Sequence, residues 1–368
     1  MFRFLLLLLF VISYNSLGRE NESSAFLLTD NSVRIIAAGD VMAHMGQVKS
    51  ATNKDGTFDF NKNYKYVKPY IESADIAFCN FETVLGDKPF SGFPAFSSPD
   101  TIANAVKFAG FDIAFTANNH CLDRRAPGLT KTVRKLLTAG LLTTGTFVDS
   151  NDKKHRNIIY VTKNNIKIAF LNYTYATNGF TVNPPYLVNY INKDEIVKTL
   201  KQAKSEKPDA IIVFFHWGSE YQRVPNSSQI DLAKICYENG ADVIIGAHPH
   251  VIQKMEKINY KTPEGKTKEI LIAYSLGNLI SNQTWRYSDG GIFADFTLKK
   301  DQEGKISISN AEYKPVYVLK NSSEGKKNYY LIFPDKLEEY KELKIPESDK
   351  KKIREFESDT KKLMSDFK

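Results

Sequence analysis

Between residues 33 and 278 the chain alternates two kinds of segment. Short runs remain apolar from end to end: VRIIAAGD (33–40), ADIAFCNFE (74–82), FDIAFTANNH (111–120), IKIAFLNYT (166–174), DAIIVFFHWG (209–218), DVIIGAH (242–248) and EILIAYSLGN (269–278). Runs of this length, rich in β-branched residues, predict strands covered on both faces. Between them, 98–110, 126–140 and 226–240 show helical spacing, each opened by Ser, Asn or Pro and closed by Gly. Alternating strands and helices predict a layered α/β fold. Beyond about Asp289 the pattern changes: GGIFADFTLKK and KPVYVLK predict strands that close a sheet. Residues 336–368 are dominated by charge and predict a helical, solvated, non-catalytic tail. No repeat or low-complexity linker divides the remainder, so 33–335 is expected to form one domain.

The predicted strands share an ending. Asp40, Glu82, Asn119, His120, His216, His248, His250 and Asn278 all stand at or just past the carboxyl end of an apolar run. Any one of them alone reads equally well as a cap on a neighbouring helix. Together they mark one crevice, because the carboxyl ends of strands in an α/β sheet line the ligand site. Imidazole, carboxylate and carboxamide oxygen suit divalent ions such as Zn, Mn or Fe. A shared Asp40 or Glu82 could bridge two ions, which activate a water and clamp an oxyanion. His248 and His250 flank Pro249, and at a strand-to-loop turn both can reach one site. His155 lies in the polar stretch NDKKHRN and reads as surface, whereas His44 is closer to the crevice.

Composition changes this picture little. With 42% hydrophobic residues the chain can bury an ordinary core, and three cysteines are too few for a disulfide-built scaffold. Cys79 and Cys121 lie close enough to Glu82 and His120 in sequence to form a disulfide or offer a thiolate, with buried free thiols as the alternative. Cys236 reads as helix core. The net charge of +8 is spread thinly and not clustered with aromatics, which points away from nucleic acid and toward an anionic envelope polymer, or simply a solvated surface. At the amino terminus one Arg, a Leu/Phe-rich run and small residues up to Gly18 predict a signal peptide over 1–18. An uncleaved membrane anchor is the alternative; either way the body is expected outside the cytoplasmic membrane, periplasmic or at the cell surface.

The ordered segments AAGDVMAHMGQ (37–47), CNFETVLG (79–86), ANNHCLDRRAPGL (117–129), FFHWGSEY (214–221), GAHPHVIQ (246–253) and AYSLGNLI (273–280) resemble the CapA family of bacterial capsule proteins, linked to poly-γ-glutamate synthesis. That family is similar to the calcineurin-like metallophosphoesterases. The resemblance implies a two-sheet sandwich flanked by helices with one or two divalent ions at the strand ends. It places Asp40, Glu82, Asn119, His216, His248 and His250 as metal ligands and His120 as the acid, with Asp123 retained beside it. Trp217, Glu220, Tyr221 and Asn278 follow strand ends and are candidate substrate contacts, as are Tyr173 to Tyr175; Arg124, Arg125 and Arg223 could pair with an anionic chain.

One departure stands out. Metallophosphoesterases read Asp-x-His in the first motif, whereas this chain reads Asp40-Val41-Met42, and a thioether is a poor ligand for a hard ion. Either His44 replaces the imidazole or the site is reduced. The function implied is polymer synthesis, export or processing by a metal-dependent hydrolase or transferase, with membrane-bound synthesis or export proteins as partners. The alternative is a non-catalytic polymer-binding or assembly component with a structural metal.

Overall fold

A computed structural model describes residues 31–323 and 326–367; the expected signal peptide lies outside them. The apolar runs are buried on both faces for a simple reason. In β1 (Ser32–Val41), Val33, Ile35 and Ala37 point into one core while Ile36 and Ala38 point into another. In β9 (Ala210–His216), Ile212 and Phe214 join the first core and Ile211, Val213 and Phe215 a third. Side chains alternate faces along a strand, so a run apolar throughout is stable only with cover on both sides.

Two sheets provide the shared core. The first runs β16 (Lys326–Ile332), β15 (Ile306–Ser323), β14 (Gly290–Lys300), β1, β2 (Ile76–Asn80), β3 (Ile113–Phe115), β4 (Leu142–Thr144), with β13 (Asn278–Ile280) beside β1. The second runs β11 (Met255–Lys261), β12 (Thr267–Ala273), β10 (Val243–Ala247), β9, β7 (Ile166–Thr174), β6 (Ile159–Lys163). A short ribbon pairs β5 (Thr146–Phe147) with β8 (Leu187–Val188). Between the large sheets, the Phe78 ring meets Phe115, Phe170 and Phe214. Helices α1 (Met45–Ala51), α2 (Lys68–Ile71), α3 (Thr101–Phe108), α4 (Arg125–Thr138), α5 (Ser150–Arg156), α6 (Lys193–Ser205) and α7 (Ser227–Glu238) connect the strands. The fold is the predicted two-sheet sandwich flanked by helices, and the three helical stretches expected at 98–110, 126–140 and 226–240 are α3, α4 and α7.

Four consecutive strands of each sheet are parallel: β1, β2, β3 and β4 in the first, β7, β9, β10 and β12 in the second. Their carboxyl ends therefore lie at one rim. Two predicted strands end early, β2 at Asn80 and β3 at Phe115. The stretch 269–278 is not one strand but two: β12 stops at Ala273, the chain crosses to the other sheet, and β13 pairs with β1, Asn278 facing Asp40. That crossing is backbone against backbone. A Cβ on Gly39 would lie 1.9 Å from the Gly277 carbonyl oxygen, and a Cβ on Gly246 would lie 2.1 Å from that of Tyr274. Only glycine allows either approach.

The expectation of a solvated tail is overturned. Within α8 (Glu347–Leu363), Ile353, Phe356 and Thr360 are buried, and Met364 continues the stripe. These residues recur at helical spacing and close one end of the inter-sheet core, the Phe356 ring 5.5 Å from Tyr317 of β15. A narrow apolar stripe is enough to dock a helix whose other faces are charged. Phe356→Ala should therefore destabilise the protein by about 3–5 kcal/mol in a denaturant titration, as for other buried Phe truncations. A shift within about 0.5 kcal/mol, typical of surface positions, would restore the solvated-tail reading.

Candidate metal centre

Five strand ends bring their polar residues to one point. Asp40 ends β1, Glu82 follows β2, Asn119 and His120 follow β3, His216 ends β9, and His248 and His250 follow β10. All seven are buried. Ligand atoms of Asp40, Glu82 and His250 lie within 4.8 Å of one another, as do those of Glu82, His216 and His248. Glu82 belongs to both sets. A third set joins the exposed Glu220 to His248 and His250.

The turn carrying the two histidines has an unusual backbone. His248 has φ +99° and His250 φ +57°, conformations that cost on the order of 1–3 kcal/mol for a residue with a Cβ. The turn is held from outside: Gln229 caps α7 through Asn226, donates to Gln253 Oε1 at 2.8 Å, and Gln253 donates in turn to the Gln222 carbonyl at 2.8 Å. Positions two apart on a straight strand share a face; here the chain has left the strand, and the φ values keep both rings at the same space.

Hydrogen bonds orient the His250 and His216 rings. His250 Nδ1 lies 3.1 Å from both Asp40 Oδ2 and Asn278 Oδ1, which leaves Nε2 directed toward Glu82 Oε1 at 3.8 Å. His216 Nε2 is 2.8 Å from Asn119 Oδ1 and 3.6 Å from Glu82 Oε1. Asn80 Nδ2 lies between Asp40 Oδ1 at 2.6 Å and His216 Nδ1 at 3.1 Å. Partners behind the ligands fix tautomers and ring planes in metal sites, and Asn80 and Asn278 occupy that position here.

The electrostatics suit a cation. Burial and then the charge of Asp40 push the Glu82 carboxyl well above its usual range. Burial also acts against the Asp40 carboxylate, but hydrogen bonds from His250 and Asn80 outweigh it and hold that group below its ordinary value. Burial, reinforced by the neighbouring histidines, pushes His216 well down and His248 down to about 3, so both rings are neutral and keep a lone pair. Both Glu82 oxygens, His248 Nδ1 and Asn80 Oδ1 are buried without a hydrogen-bond partner. Orphaned buried acceptors are costly, and a divalent ion would satisfy them with the oxygen and nitrogen donors it prefers. The residues fit a metal.

Beside this centre His120 and Asp123 form a pair, Nδ1 to Oδ2 at 2.7 Å. Asp123 Oδ2 also accepts the Phe96 backbone N–H at 2.7 Å, and the Phe96 ring meets the His120 ring edge-on at 4.7 Å. Asn178 accepts from Asn119 Nδ2 at 3.1 Å and lies 3.3 Å from His120 Nδ1. Neither Asn80 nor Asn178 was expected from the sequence. Asn80 carries a signal, a polar residue at the end of an apolar run two positions before Glu82. Asn178 sits in an irregular loop and carries none.

Several expectations need correction. Trp217 does not face a ligand: it is buried, stacks on Phe215 at 4.6 Å and donates to the Tyr274 carbonyl at 2.9 Å. Tyr173 is likewise core. Asn278 is buried and orients His250 instead of contacting substrate. His44 does not replace the missing imidazole; it caps α1, packs edge-on against Phe96 at 5.3 Å, and its Nδ1 accepts from Asn282 N at 3.3 Å. Cys79, Cys121 and Cys236 are buried free thiols, and none belongs to a donor set. Arg124 donates to the Ala95 carbonyl at 3.3 Å, while Arg125 lies over Phe180 and Arg223 over Tyr287. The exposed residues at the centre are Tyr175, whose ring lies 4.5 Å from that of His248, Glu220, and Tyr221, 6.1 Å from both His250 and the exposed Trp285.

Known proteins agree with this architecture. The family described as "Bacterial capsule synthesis protein PGA_cap" matches residues 34–283. The capsule biosynthesis protein CapA of Bacillus anthracis is 30% identical over 308 residues, covering 79% of this chain and 67% of that protein. The PGA biosynthesis protein CapA of Bacillus subtilis (strain 168) is 28% identical over 320 residues, 84% of this chain and 80% of the relative. Among solved structures, the NAD nucleotidase NadN of Haemophilus influenzae matches with a TM-score of 0.50 at 16% identity. That match covers 92% of this chain but only 63% of the nucleotidase, and it is a likeness of fold.

If Glu82 is shared between two donor sets, its loss should be felt as lost metal-linked stability. Zn or Mn at about one hundred times its Kd should add about 2.7 kcal/mol to the wild type and much less to Glu82→Gln. Denaturant titrations with chelator and with ion, alongside elemental analysis, measure this; equal stabilisation of both proteins would remove Glu82 from the centre.

Proposed function

The chain belongs to the bacterial capsule synthesis protein family PGA_cap, and from that premise we propose that it is an exported, metal-dependent hydrolase or transferase acting on an amide bond of an anionic capsule polymer of the poly-γ-glutamate type. The observation that carries this reading is Glu82, buried and shared by two donor sets, with the His120–Asp123 pair beside them. The residues 1–18 favour export, and membrane-bound synthesis or export proteins are the partners such a role would need.

When bound, a divalent ion supplies a water acidified toward neutrality and a positive field for the oxygen that gains charge. The chain's own residues do the rest. Asp123 holds the Nδ1 proton of His120, which leaves Nε2 as the position that exchanges protons with substrate. Water adds to the carbonyl carbon, the C–N bond breaks, and the departing nitrogen leaves with the proton from His120 Nε2. The proton released by the attacking water restores His120. Transfer follows the same course with an amine in place of water. Tyr175, packed on His248 and stacked over His216 at 6.2 Å, covers the donor sets on one side.

One observation favours a second reading. Met42 stands where an imidazole is expected, and no other histidine takes its place, so the Asp40 set has fewer nitrogen donors than a metallophosphoesterase site of the usual pattern. A structural ion in an assembly component would tolerate that loss.

Purified, metal-loaded protein incubated with poly-γ-glutamate, with chain length followed on gels, tests the proposal. His120→Ala should slow cleavage or transfer by about 10²–10⁴ with metal content unchanged, and Asp123→Asn should act in the same direction. A wild type that leaves the polymer untouched with Zn, Mn and Fe alike would rule out the hydrolytic reading and leave the assembly role.

A further inference from the structure

A second site lies one loop away from the metal centre. Between β15, the amino-terminal half of α8 and the segment 284–289 is a cavity of about 510 Å³, lined among others by Arg286, Asp289, Lys320, Lys327, Asp349 and Lys352. Two of its four cations are paired: Arg286 with Asp289 at 3.2 Å and with Asp359 at 2.5 Å, and Lys352 with Asp349 at 3.3 Å. Among the described residues neither Lys320 nor Lys327 has an ion pair, although the charge of Asp289 acts on Lys320 from the cavity wall. Lys320 donates to the Gln283 carbonyl, and Lys327 lies over the Tyr329 ring at 5.9 Å.

The strand register puts the two lysines together. Lys320 pairs with Tyr329 and Ser322 with Lys327, so Lys320 and Lys327 are diagonal cross-strand neighbours on one face, roughly 7–8 Å apart. Like charges so placed repel, and the strain shows: burial, and then the charge of Lys327, pushes the Lys320 ammonium down to about 8. An anion between them would relieve both effects.

We propose that this cavity is a carboxylate-binding site that holds side chains of an acidic polymer through the ammonium groups of Lys320 and Lys327. Its size falls within the range of small-ligand pockets, roughly 300–1,000 Å³. The guanidinium that would favour bidentate phosphate recognition is taken up by Asp289 and Asp359, and what remains is two separate point charges. Such a pair suits carboxylates spaced along a chain better than one phosphate. The position also fits. Gln283, the partner of Lys320, accepts from Asn278 Nδ2 at 3.0 Å and donates to the Tyr221 hydroxyl at 3.4 Å, so a chain held in the cavity lies against the wall of the metal centre.

The polymer's identity rests on the function proposed above; the cavity's preference for carboxylates does not. Titration calorimetry of the full chain, metal-loaded, with a γ-linked glutamate oligomer and separately with inorganic phosphate tests it. Lys320→Gln with Lys327→Gln should weaken oligomer binding at least about tenfold and leave metal content unchanged. Lys327→Gln alone, at an exposed position where folding is not at risk, should weaken it several-fold. Oligomer bound but never cut, with binding lost in the double variant, supports the site and overturns only the hydrolytic reading. Equal oligomer affinity in wild type and both variants, or phosphate binding without oligomer binding, would overturn the assignment.

Discussion

The centre of this protein depends on two carboxylates placed where water cannot reach them. Asp40 and Glu82 are both fully buried among imidazoles and carboxamides, and among the described residues no Lys or Arg forms an ion pair with either. A buried carboxylate with no counter-charge costs several kcal/mol. Asp40 recovers part of that through His250 and Asn80, but Glu82 has no hydrogen-bond partner at either oxygen. Burial and the charge of Asp40 push Glu82 toward its neutral form; a cation would reconcile both acids with full burial while keeping them ionised. Other local costs serve the same end: the left-handed backbone at His248 and His250, and the glycine-only contacts at Gly39 and Gly246 that let the two sheets meet at this rim.

How much of this could be read in the sequence follows from which signals are local. The apolar runs had to be strands covered on both faces, and parallel connection by helices forces their carboxyl ends to one side; hence Asp40, Glu82, His216, His248 and His250 were legible as one cluster. What a run cannot reveal is which face a residue takes once the strand has ended. Trp217 and His216 are adjacent, yet His216 enters the donor set while Trp217 turns to the outer core and the Tyr274 carbonyl. Asn278 looked like a substrate contact because its strand had been joined to 269–273, when it belongs to a strand of the opposite sheet and sits behind His250. The docking of α8 was missed, although the tail was expected to be helical, because Ile353, Phe356 and Met364 are few among many lysines and glutamates.

The rim of the centre is built differently from its floor. The floor is buried donors on strand ends, rigid because both sheets fix them. The exposed groups above it, Tyr175, Glu220, Tyr221 and Trp285, are on loops. Loops of that kind carry specificity on a fixed scaffold, which is why a fold shared with a nucleotidase says little about what this chain does. The loop holding Gln283 and Trp285 has one face toward His250, through Asn278, and another toward Lys320. An extended anionic chain is the kind of ligand that could use both faces at once.

Met42 shows why a missing ligand need not be a simple loss. Its side chain is buried with Val84 and Phe96 in a small apolar cluster. Phe96 connects that cluster to the acid: its ring packs edge-on against both His120 and His44, and its backbone N–H is donated to Asp123 Oδ2. An imidazole at position 42 would bring a polar ring into this cluster, where it would need a partner of its own. With methionine there, the cluster is apolar and its Phe96 braces the His120–Asp123 pair, while His44 is held at the start of α1, its ring accepting from the Asn282 backbone. The substitution removes a donor from one side of the centre and packs the space against the residue that would move the proton. Such an arrangement keeps the His120–Asp123 pair braced whether or not the donor set on the Asp40 side is complete.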